Sequence, residues 1–496
     1  MRTHFKALLY SASVFFISSL FVFPQTATHQ IKISEDTQTC IDCHEDVTPG
    51  IVGDWRTSRH SRTSFAQAVK VKDIERRVSS KSVPDELSDV AVGCYECHCL
   101  NPGDHADNFE HYGYRVNIVV SPKDCSTCHI EEFSQYQNSK KAYALDNLRK
   151  NPVFSALVET IDGVKQIKKN KIAGLPASHF TLNETCYACH GTEVKVEGTR
   201  TIATDGGDIE VPNLTNWPNQ GVGRINPDGS RGSCTACHPR HSFSLETARR
   251  PYTCGQCHLE PDVPAFNIYK ESKHGNIYES GEHWWNWEAV PWKVGTDFNA
   301  PTCAACHNSL LTNSSGDVIV KRNHDFGGRL WVRVFGLIYS HPQPKSGATY
   351  EIKNKDGLPL PTDFANNRAT DYLLTADEEA NRKAEMEKVC SSCHSTSWVM
   401  GYFEKFESSV SEADKMVGAA TELMSKVWEK KLADNKNPFD EPIEQMWVKQ
   451  WLFYANSVRY ASAMSGPDYA AFKNGWWELT NNLNNMRQLM LLMEKK

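Results

Sequence analysis

The sequence lacks the features that mark several common classes of protein. Its 54 basic and 60 acidic residues leave a formal net charge of −6, so there is no basic excess that would favour nucleic acid as a partner. Beyond Phe23, no apolar run is long enough to cross a bilayer. Hydrophobic residues make up 40% of the 496, which is modest for this length. We therefore expect a mature protein with no stable membrane span, in which groups other than side chains supply part of the buried apolar surface.

Cysteine is almost absent outside one repeated motif. Cys-x-x-Cys-His occurs eight times and uses 16 of the 17 cysteines, leaving only Cys99, for which we expect a buried structural role. Two thiols followed directly by a histidine form the attachment signal of c-type haem, in which the thiols bond to the porphyrin and the histidine binds the iron. The copies are Cys40, Cys43 and His44; Cys94, Cys97 and His98; Cys125, Cys128 and His129; Cys186, Cys189 and His190; Cys234, Cys237 and His238; Cys254, Cys257 and His258; Cys303, Cys306 and His307; and Cys390, Cys393 and His394.

Other uses of paired cysteines fit this pattern less well. A tetrahedral zinc site needs no histidine fixed after the second cysteine, and a thioredoxin-like motif would occur once. A disulfide framework suits a small secreted domain better than a chain of this length. The sequence therefore predicts eight covalently bound haem c groups, which we number in chain order, and a function in electron transfer.

The N-terminus is typical of an export signal. Arg2 and Lys6 precede an apolar stretch from Ala7 to Phe23, and polar residues follow it. Haem c is attached outside the cytoplasm, so export also agrees with the motifs. We predict a signal peptide over residues 1–28, with an uncleaved anchor as the alternative.

The chain changes character after Thr375. Before it, the segments between motifs are rich in Gly, Pro, Asn and Asp, which predicts loops, with a short β excursion at 194–212. After it, Thr375 and Glu378 form a capping box, and helical spacing covers 398–433, 442–464 and 468–494. We predict a mainly α multihaem cytochrome c. Its haem-rich domain would span 29–374 and carry haems 1–7, and a C-terminal helical region over 375–496 would carry haem 8 and an oligomer interface.

Counting histidines indicates which iron could be reactive. Of 19 histidines, eight belong to the motifs, His4 lies in the export signal and His29 lies near its end. Eight iron atoms capped on both sides would need eight more ligands, and an iron left open on one side could bind a small molecule. Nine histidines remain, of which His341 looks most like a loop residue: His60, His105, His111, His179, His241, His274, His283, His324 and His341.

Several flanking strings together resemble the octahaem hydroxylamine oxidoreductase family, which includes hydrazine dehydrogenase and reductive relatives. They are Ser58-Arg59-His60, Cys237-His238-Pro239-Arg240-His241-Ser242-Phe243, Ala248-Arg249-Arg250-Pro251, Ser272-Lys273-His274-Gly275 and Asn323-His324-Asp325. The resemblance covers almost the whole mature chain, including the order of the motifs.

The resemblance implies a catalytic site at haem 4, whose motif ends at His190. It implies that Glu282 and His283 line that site and move protons, and that Tyr469 corresponds to a tyrosine that a neighbouring subunit bonds to the catalytic porphyrin in oxidative members. Tyr460 is a weaker counterpart, and packing in an interface is the alternative role for Tyr469. The resemblance also implies trimers formed through the C-terminal helices, or a hetero-oligomer with a related subunit. It further implies a soluble cytochrome c as electron acceptor, and the periplasm or an equivalent lumen such as the anammoxosome as location.

The chain departs from the family at two positions. Ser139-Lys140-Lys141-Ala142 stands where the family has Ser-x-His-Ala, so Lys141 replaces a distal histidine. A buried lysine with a lowered pKa could still bind iron as a neutral amine, and a solvated lysine is the alternative. Asn474 stands where a histidine often follows the tyrosine. Our candidate distal ligands are His60, His105, His111, Lys141, His179, His241, His274 and His324.

Three functions follow from these expectations. The first is multi-electron oxidation of hydroxylamine or hydrazine at haem 4, with electrons passing through the other seven haems. The second is reduction of nitrite or hydroxylamine by the same centre, which an uncross-linked Tyr469 would suit. The third is a non-catalytic electron-transfer subunit, which Lys141 and Asn474 would suit.

Overall fold

The computed structural model describes residues 31–169, 171–204, 206–464 and 467–495. The predicted signal peptide, with His4 and His29, lies outside the described residues. The fold is mainly α, as predicted, with 47% helix and 13% strand. No helix within the described ranges combines the length and the apolar character that a membrane crossing requires.

Up to residue 374 the helices are short, because turn-forming residues separate them. They are α1 (Glu35–Val47), α2 (Pro49–Thr57), α3 (Phe65–Ala68), α4 (Asp85–Ser88), α5 (Cys94–His98), α6 (Pro122–Cys125), α7 (Ile130–Gln137), α8 (Ala144–Arg149), α9 (Pro152–Asp162), α10 (His179–Glu184), α11 (Cys186–His190), α12 (Leu245–Arg249), α13 (Pro251–Gly255), α14 (Ala265–Glu271), α15 (Lys273–Gly281) and α16 (Cys303–His307). Most motifs therefore sit on or beside one helical turn, which sets the two thiols and the histidine on adjacent positions.

The strands form small antiparallel hairpins and one three-stranded sheet of order β7-β8-β9. The predicted β excursion is present as the β5–β6 hairpin. The strands are β1 (Asn108–His111), β2 (Tyr114–Asn117), β3 (Val164–Lys168), β4 (Lys171–Leu175), β5 (Lys195–Thr204), β6 (Gly207–Thr215), β7 (Trp292–Lys293), β8 (Leu311–Thr312), β9 (Val318–Val320), β10 (Val332–Arg333) and β11 (His341–Pro342).

The helices after residue 375 are longer. The predicted capping box is present, since Thr375 Oγ1 accepts from the Glu378 backbone N–H and the Glu378 carboxylate accepts from the Thr375 N–H. A turn of π-helix at Lys449–Tyr454 joins two of the helices. They are α17 (Ala376–Ser391), α18 (Thr396–Glu429), α19 (Pro442–Val448), α20 (Ala455–Met464) and α21 (Trp476–Met493).

Two of these helices differ from the sequence prediction at an end. Helix α18 ends at Glu429 rather than 433, and Lys431 then has a φ of 54°. The last helix begins at Trp476 rather than 468, because Pro467–Ala470 forms a 3-10 turn and Asn474 has a φ of 54°. Asparagine tolerates this left-handed backbone better than most residues, which gives a local reason for Asn474.

Two apolar clusters hold the fold together. One joins α18, α20 and α21 through side chains such as Met424, Trp451 and Met486. The other is rich in tryptophan, with Trp285 and Trp292 packed beneath α16 and the start of α18. Each buried large side chain contributes roughly 1.5–3 kcal/mol to folding, so these clusters fix the frame around the motifs.

Candidate haem centres and catalytic site

Four motif histidines each face a second histidine at a nearly constant separation. Ring centroids lie 6.1 Å apart for His44 and His111, 6.4 Å for His98 and His241, 6.4 Å for His129 and His60, and 6.2 Å for His394 and His274. An iron with imidazole nitrogens about 2.0–2.1 Å away on both sides would place the centroids roughly 6 Å apart. The side chains therefore fit iron held between paired histidines at haems 1, 2, 3 and 8.

The protonation of these histidines also fits iron binding. Burial, together with neighbouring histidines, lowers the pKa of His60 and of His241 to about 4. Burial and the adjacent His238 lower the pKa of His324 to about 3, which places His324 beside the motif histidine of haem 5. Neutral imidazole is the form that offers a lone pair to a metal.

Three of the motif histidines are oriented through their other ring nitrogen. His98 Nδ1 donates to the Asn117 carbonyl at 2.7 Å, and His190 Nδ1 donates to the Ala144 carbonyl at 3.2 Å. His44 Nδ1 hydrogen-bonds with Thr48 Oγ1 at 2.9 Å. These contacts leave Nε2 facing the position of the iron, as in most metal-bound histidines.

Lys141 lies opposite the motif histidine of haem 6. Its Nζ is 3.5 Å from His258 Nε2, and the same amine is 4.8 Å from the centroid of the Phe326 ring. The side chain is half-buried rather than solvated. Lys141 thus occupies the place that a second histidine takes at the paired centres.

His190 and His307 are different from the other motif histidines. Within the described part of the chain, neither makes a ring contact with another histidine. The charged groups that influence His190 are Asp262, Lys141 and Arg333, and burial lowers its pKa. Haems 4 and 7 are therefore the two centres whose motif histidine is faced neither by a histidine nor, as at haem 6, by a lysine.

The surroundings of His307 are structural rather than reactive. The Arg329 guanidinium beside it donates to the carbonyls of Ala305, Cys306, Ser309 and Lys321. These hydrogen bonds satisfy the guanidinium of Arg329 and hold the motif on α16 in place. His190 has no such arrangement around it.

Arg333 is a half-buried cation without an ion-pair partner beside His190. Within the described residues its guanidinium makes no ion pair or hydrogen bond, and its nearest ring is Phe335, with the centroid 5.7 Å from the guanidinium carbon. Burial lowers its pKa, and Tyr460 opposes that shift. Burial also raises the pKa of Tyr460, which lies near both Arg333 and Asp262. The site beside His190 is thus lined by a cation, a phenol and a carboxyl group.

A further cation, Lys140, and a buried histidine, His341, lie near Arg333. Burial lowers the pKa of Lys140 to about 7, and Arg333 is the nearest cation that adds to the effect. Arg333 pairs with His341 across the β10–β11 ladder. His341 is 1% exposed, so it is a buried strand residue rather than the expected loop residue, and burial lowers its pKa to about 3.

His105 departs from its predicted role. Its Nδ1 donates to Asp107 Oδ1 at 3.1 Å and its Nε2 donates to Asp124 Oδ2 at 3.1 Å. Burial alone would lower its pKa, but these two carboxylates raise it to about 10. A doubly donating imidazolium has no lone pair for iron, so His105 in this arrangement is a structural residue and not a ligand. His179 is exposed at the start of α10 and faces no motif histidine.

Glu282 and His283, the expected proton-transfer pair, do not contact each other through a hydrogen bond in the described part of the chain. Glu282 forms an ion pair with Arg250 at 2.7 Å, and Arg250 also pairs with Glu246 at 2.6 Å. His283 follows in the same 3-10 turn and is exposed, so its ring is not oriented by Glu282.

Tyr469 is half-buried against the C-terminal apolar cluster. Its hydroxyl is buried and lies beside the amine of Lys473, whose Nζ is 5.4 Å from the ring centroid and whose pKa is raised by the contact. Cys99 is half-buried rather than buried, and burial raises the pKa of its thiol to about 11.

Contacts between thiols of different motifs indicate which centres are neighbours. Cys40 interacts with Cys94, Cys125 with Cys234, Cys189 with Cys257, and Cys254 with Cys303. Haem 6 is thereby adjacent to haems 4 and 7. Cys237 of the fifth motif interacts electrostatically with Cys254 of the sixth motif, so the haem 5 motif also lies beside that of haem 6.

Paired iron ligands on repeated Cys-x-x-Cys-His helices define a multihaem c-type cytochrome. A family model described as "Seven times multi-haem cytochrome CxxCH" matches residues 227–328, and one described as "Cytochrome c554 and c-prime" matches 39–112 and 124–208. A solved structure titled "Hypothetical multiheme protein" is 41% identical, has a TM-score of 0.88, and is matched over 93% of this chain and 96% of its own.

Two relatives from Kuenenia stuttgartiensis are more distant. A "Probable nitrite reductase-hydroxylamine oxidoreductase fusion protein" is 23% identical over 426 residues, which are 82% of this chain and 39% of the relative, so the chain spans well under half of that protein. A "reducing HAO-like protein complex" shares the fold at 17% identity, with a TM-score of 0.61 over 93% of this chain and 86% of the other. The chain belongs to the multihaem c-type cytochromes, the family shown by its 41% identity to the multiheme protein over 93% of its length.

Sequence reasoning missed Arg333, Asp262 and Arg250 as charged groups of these sites. Arg250 stood in a string that carried the resemblance, but nothing in the sequence paired it with Glu282. Arg333 lies far from any motif and Asp262 follows the sixth motif rather than the fourth, so only their position beside His190 distinguishes them.

Proposed function

We propose that this chain is a multi-electron oxidoreductase that converts a small nitrogen compound at haem 4, with the other seven haems passing electrons. The observation that carries the proposal is His190, which lacks a facing histidine and is surrounded by Arg333, Asp262 and Tyr460. Haem 7 also lacks a facing histidine, but the guanidinium beside it is fully used by backbone carbonyls. The His190 site, in contrast, has a guanidinium, Arg333, that forms no ion pair within the described residues and could hold a substrate.

The residues would divide the work as follows. Cys186 and Cys189 would hold the porphyrin, and His190, oriented by Ala144, would hold the iron from one side. Haem c bound there would supply electron exchange with the nitrogen of a bound molecule. Arg333 would hold the substrate by charge and hydrogen bonds, and Tyr460, Asp262 or His283 would supply or accept protons.

The charge around His190 favours reduction of an oxidised nitrogen anion such as nitrite. Arg333 has no carboxylate partner within the described residues, and Lys140 adds a second half-buried cation near it. At neutral pH hydroxylamine is largely uncharged and hydrazine is largely a cation, so neither needs such a positive group, whereas nitrite does. Of the Kuenenia relatives, the fusion protein is named for both a nitrite reductase and a hydroxylamine oxidoreductase and fits either direction, whereas the other belongs to a reducing complex.

Oxidation of hydroxylamine or hydrazine is the second candidate. It is favoured by Tyr469, which the sequence resemblance aligns with the tyrosine that is bonded to the catalytic porphyrin in oxidative members. Family members that carry such a bond oxidise their substrate, as the sequence resemblance implies.

The same proposal covers assembly and location. Phe472 is 85% exposed and Trp477 is 60% exposed, and both flank the start of α21. Such large apolar side chains favour contact with another subunit. We propose a homotrimer, or a hetero-oligomer with a related subunit, exported to the periplasm or a similar lumen and coupled to a soluble cytochrome c.

One experiment on the holoprotein separates the candidates. The reduced protein would be mixed with nitrite, and its reoxidation would be followed optically beside a hydroxylamine-fed sample of the oxidised protein. Reoxidation by nitrite, with no red-shifted band in the reduced spectrum, would support reduction. A red-shifted band that disappears in Tyr469→Phe, with hydroxylamine-driven reduction, would support oxidation. Spectra that no nitrogen compound changes would refute a catalytic site and leave an electron-transfer subunit.

A further inference from the structure

We infer that Lys141 is the second axial ligand of haem 6, opposite His258, so that this iron is held by one amine and one imidazole. The inference concerns how the iron is bound, and it does not depend on which reaction takes place at haem 4. Sequence comparison identifies only that a lysine replaces a histidine, whereas the structure identifies the centre that it faces.

The distance between the two nitrogens carries the assignment. Lys141 Nζ lies 3.5 Å from His258 Nε2, the nitrogen through which a motif histidine binds iron. Two nitrogens on opposite sides of one metal, each about 2.0–2.1 Å from it, would be roughly 4 Å apart. The four histidine pairs satisfy the equivalent distance for two rings, so Lys141 and His258 follow the same arrangement.

The backbone holds Lys141 in place. Ser139 Oγ donates to the Tyr136 carbonyl at 2.6 Å, and the Lys141 carbonyl accepts from the Ala144 N–H at 3.1 Å. Ala142 is fully buried. The turn after α7 is therefore fixed on both sides of the lysine.

Lys141 also lacks the partner that a structural lysine would have. Within the described ranges it forms no ion pair with a carboxylate, whereas its neighbour Lys140 lies near Asp325. Its only close ring is Phe326, which covers the amine from one side. A lone amine aimed at an iron-binding nitrogen is best explained by a shared metal.

The position of haem 6 gives this ligand a function. Cys257 contacts Cys189 of the haem 4 motif, and Cys254 contacts Cys303 of the haem 7 motif. Electrons that enter or leave haem 4 would pass through haem 6 before they reach haem 5 or haem 7. Since the axial ligand tunes the reduction potential, Lys141 would set the potential at this branch point.

The test compares Lys141→Leu, Lys141→His and the matched control Lys140→Leu in the haem-loaded chain. Electron paramagnetic resonance and near-infrared magnetic circular dichroism distinguish amine–imidazole, bis-imidazole and high-spin iron. We expect the wild type to contain one low-spin centre that is not bis-imidazole. Lys141→Leu should convert it to one high-spin centre per chain, Lys141→His should convert it to bis-imidazole, and Lys140→Leu should retain it.

Haem content by mass spectrometry accompanies each spectrum. If Lys141→Leu fails to retain eight haems, the wild type and Lys141→His still decide the outcome. The inference is overturned if the wild type has no amine–imidazole signal, or if Lys141→His leaves the spectrum unchanged. Because none of these readouts uses turnover, an inactive protein would contradict the proposed function and leave the ligand assignment standing.

Discussion

His98 and His241 face each other with ring centroids 6.4 Å apart, although they belong to the second motif and to the segment after the fifth. His98 is fixed by its bond to the Asn117 carbonyl, so His241 is the more easily removed partner. We expect His241→Leu to leave haem 2 open on one side and to add one high-spin centre to the spectrum. His179→Leu removes an exposed histidine and should leave the spectrum unchanged. If both variants retain the wild-type spectrum, the assignment of His241 is wrong.

Arg333 should control the affinity for an anionic substrate. Removing a hydrogen bond to a charged group costs about 1.5–3 kcal/mol, so Arg333→Met should raise KM for nitrite by roughly ten- to a hundredfold. Arg333→Lys should recover part of this loss, because the charge remains. Steady-state kinetics on nitrite and hydroxylamine would measure the effect, and the neutral substrate should be less affected. An unchanged KM together with a shifted reduction potential would show that Arg333 binds a haem propionate instead.

The two members of the expected proton-transfer pair should behave differently. Glu282 is neutralised by Arg250, so Glu282→Gln should change kcat by only a few-fold while lowering thermal stability. His283→Ala should lower kcat by about 10²–10⁴-fold if His283 is the proton donor or acceptor at haem 4. The kcat of both variants, with haem content as control, would be compared with that of the wild type. Similar losses in the two variants would indicate that they act as one unit.

The buried His105 cluster should make stability depend on pH. Its two carboxylates raise the folded-state pKa of His105 to about 10, above the unfolded value of 6.5. The stabilisation is therefore fully present below about pH 6.5. This stabilisation is lost as the pH rises towards 10, because a group whose pKa is raised by folding stabilises the protein only while it stays protonated.

Unfolding temperature measured between pH 6 and pH 10 would check this dependence. His105→Ala leaves Asp107 and Asp124 buried without a cation and should cost roughly 3–5 kcal/mol. The control Lys123→Ala removes an exposed ion pair to Asp104 and should lower stability far less than His105→Ala. A wild-type unfolding temperature that stays flat up to pH 10 would contradict the charged state of His105.

The sequence predicted the haem motifs, the mainly α class, the β5–β6 hairpin and the capping box at Thr375, because each of these depends on residues close together in the chain. It could not predict which distal residue faces which motif. His241 and Lys141 meet motifs from which long loops separate them, and only the packed structure shows the pairing. The same limit explains His105, whose neighbour Asp107 was visible in sequence, whereas Asp124 meets it only after folding.

Where the facing residues originate has a consequence for how the chain matures. His111, which lies between the second and third motifs, faces the histidine of the first, and His274, which lies after the sixth motif, faces that of the eighth. An iron held by such a pair would join two remote stretches of polypeptide, as a disulfide does in a small secreted protein. We therefore expect large parts of the chain to fold stably only after the haems have been attached covalently. In a truncated chain that ends before His394, the segment around His274 should lack its partner at haem 8 and should therefore be prone to proteolysis.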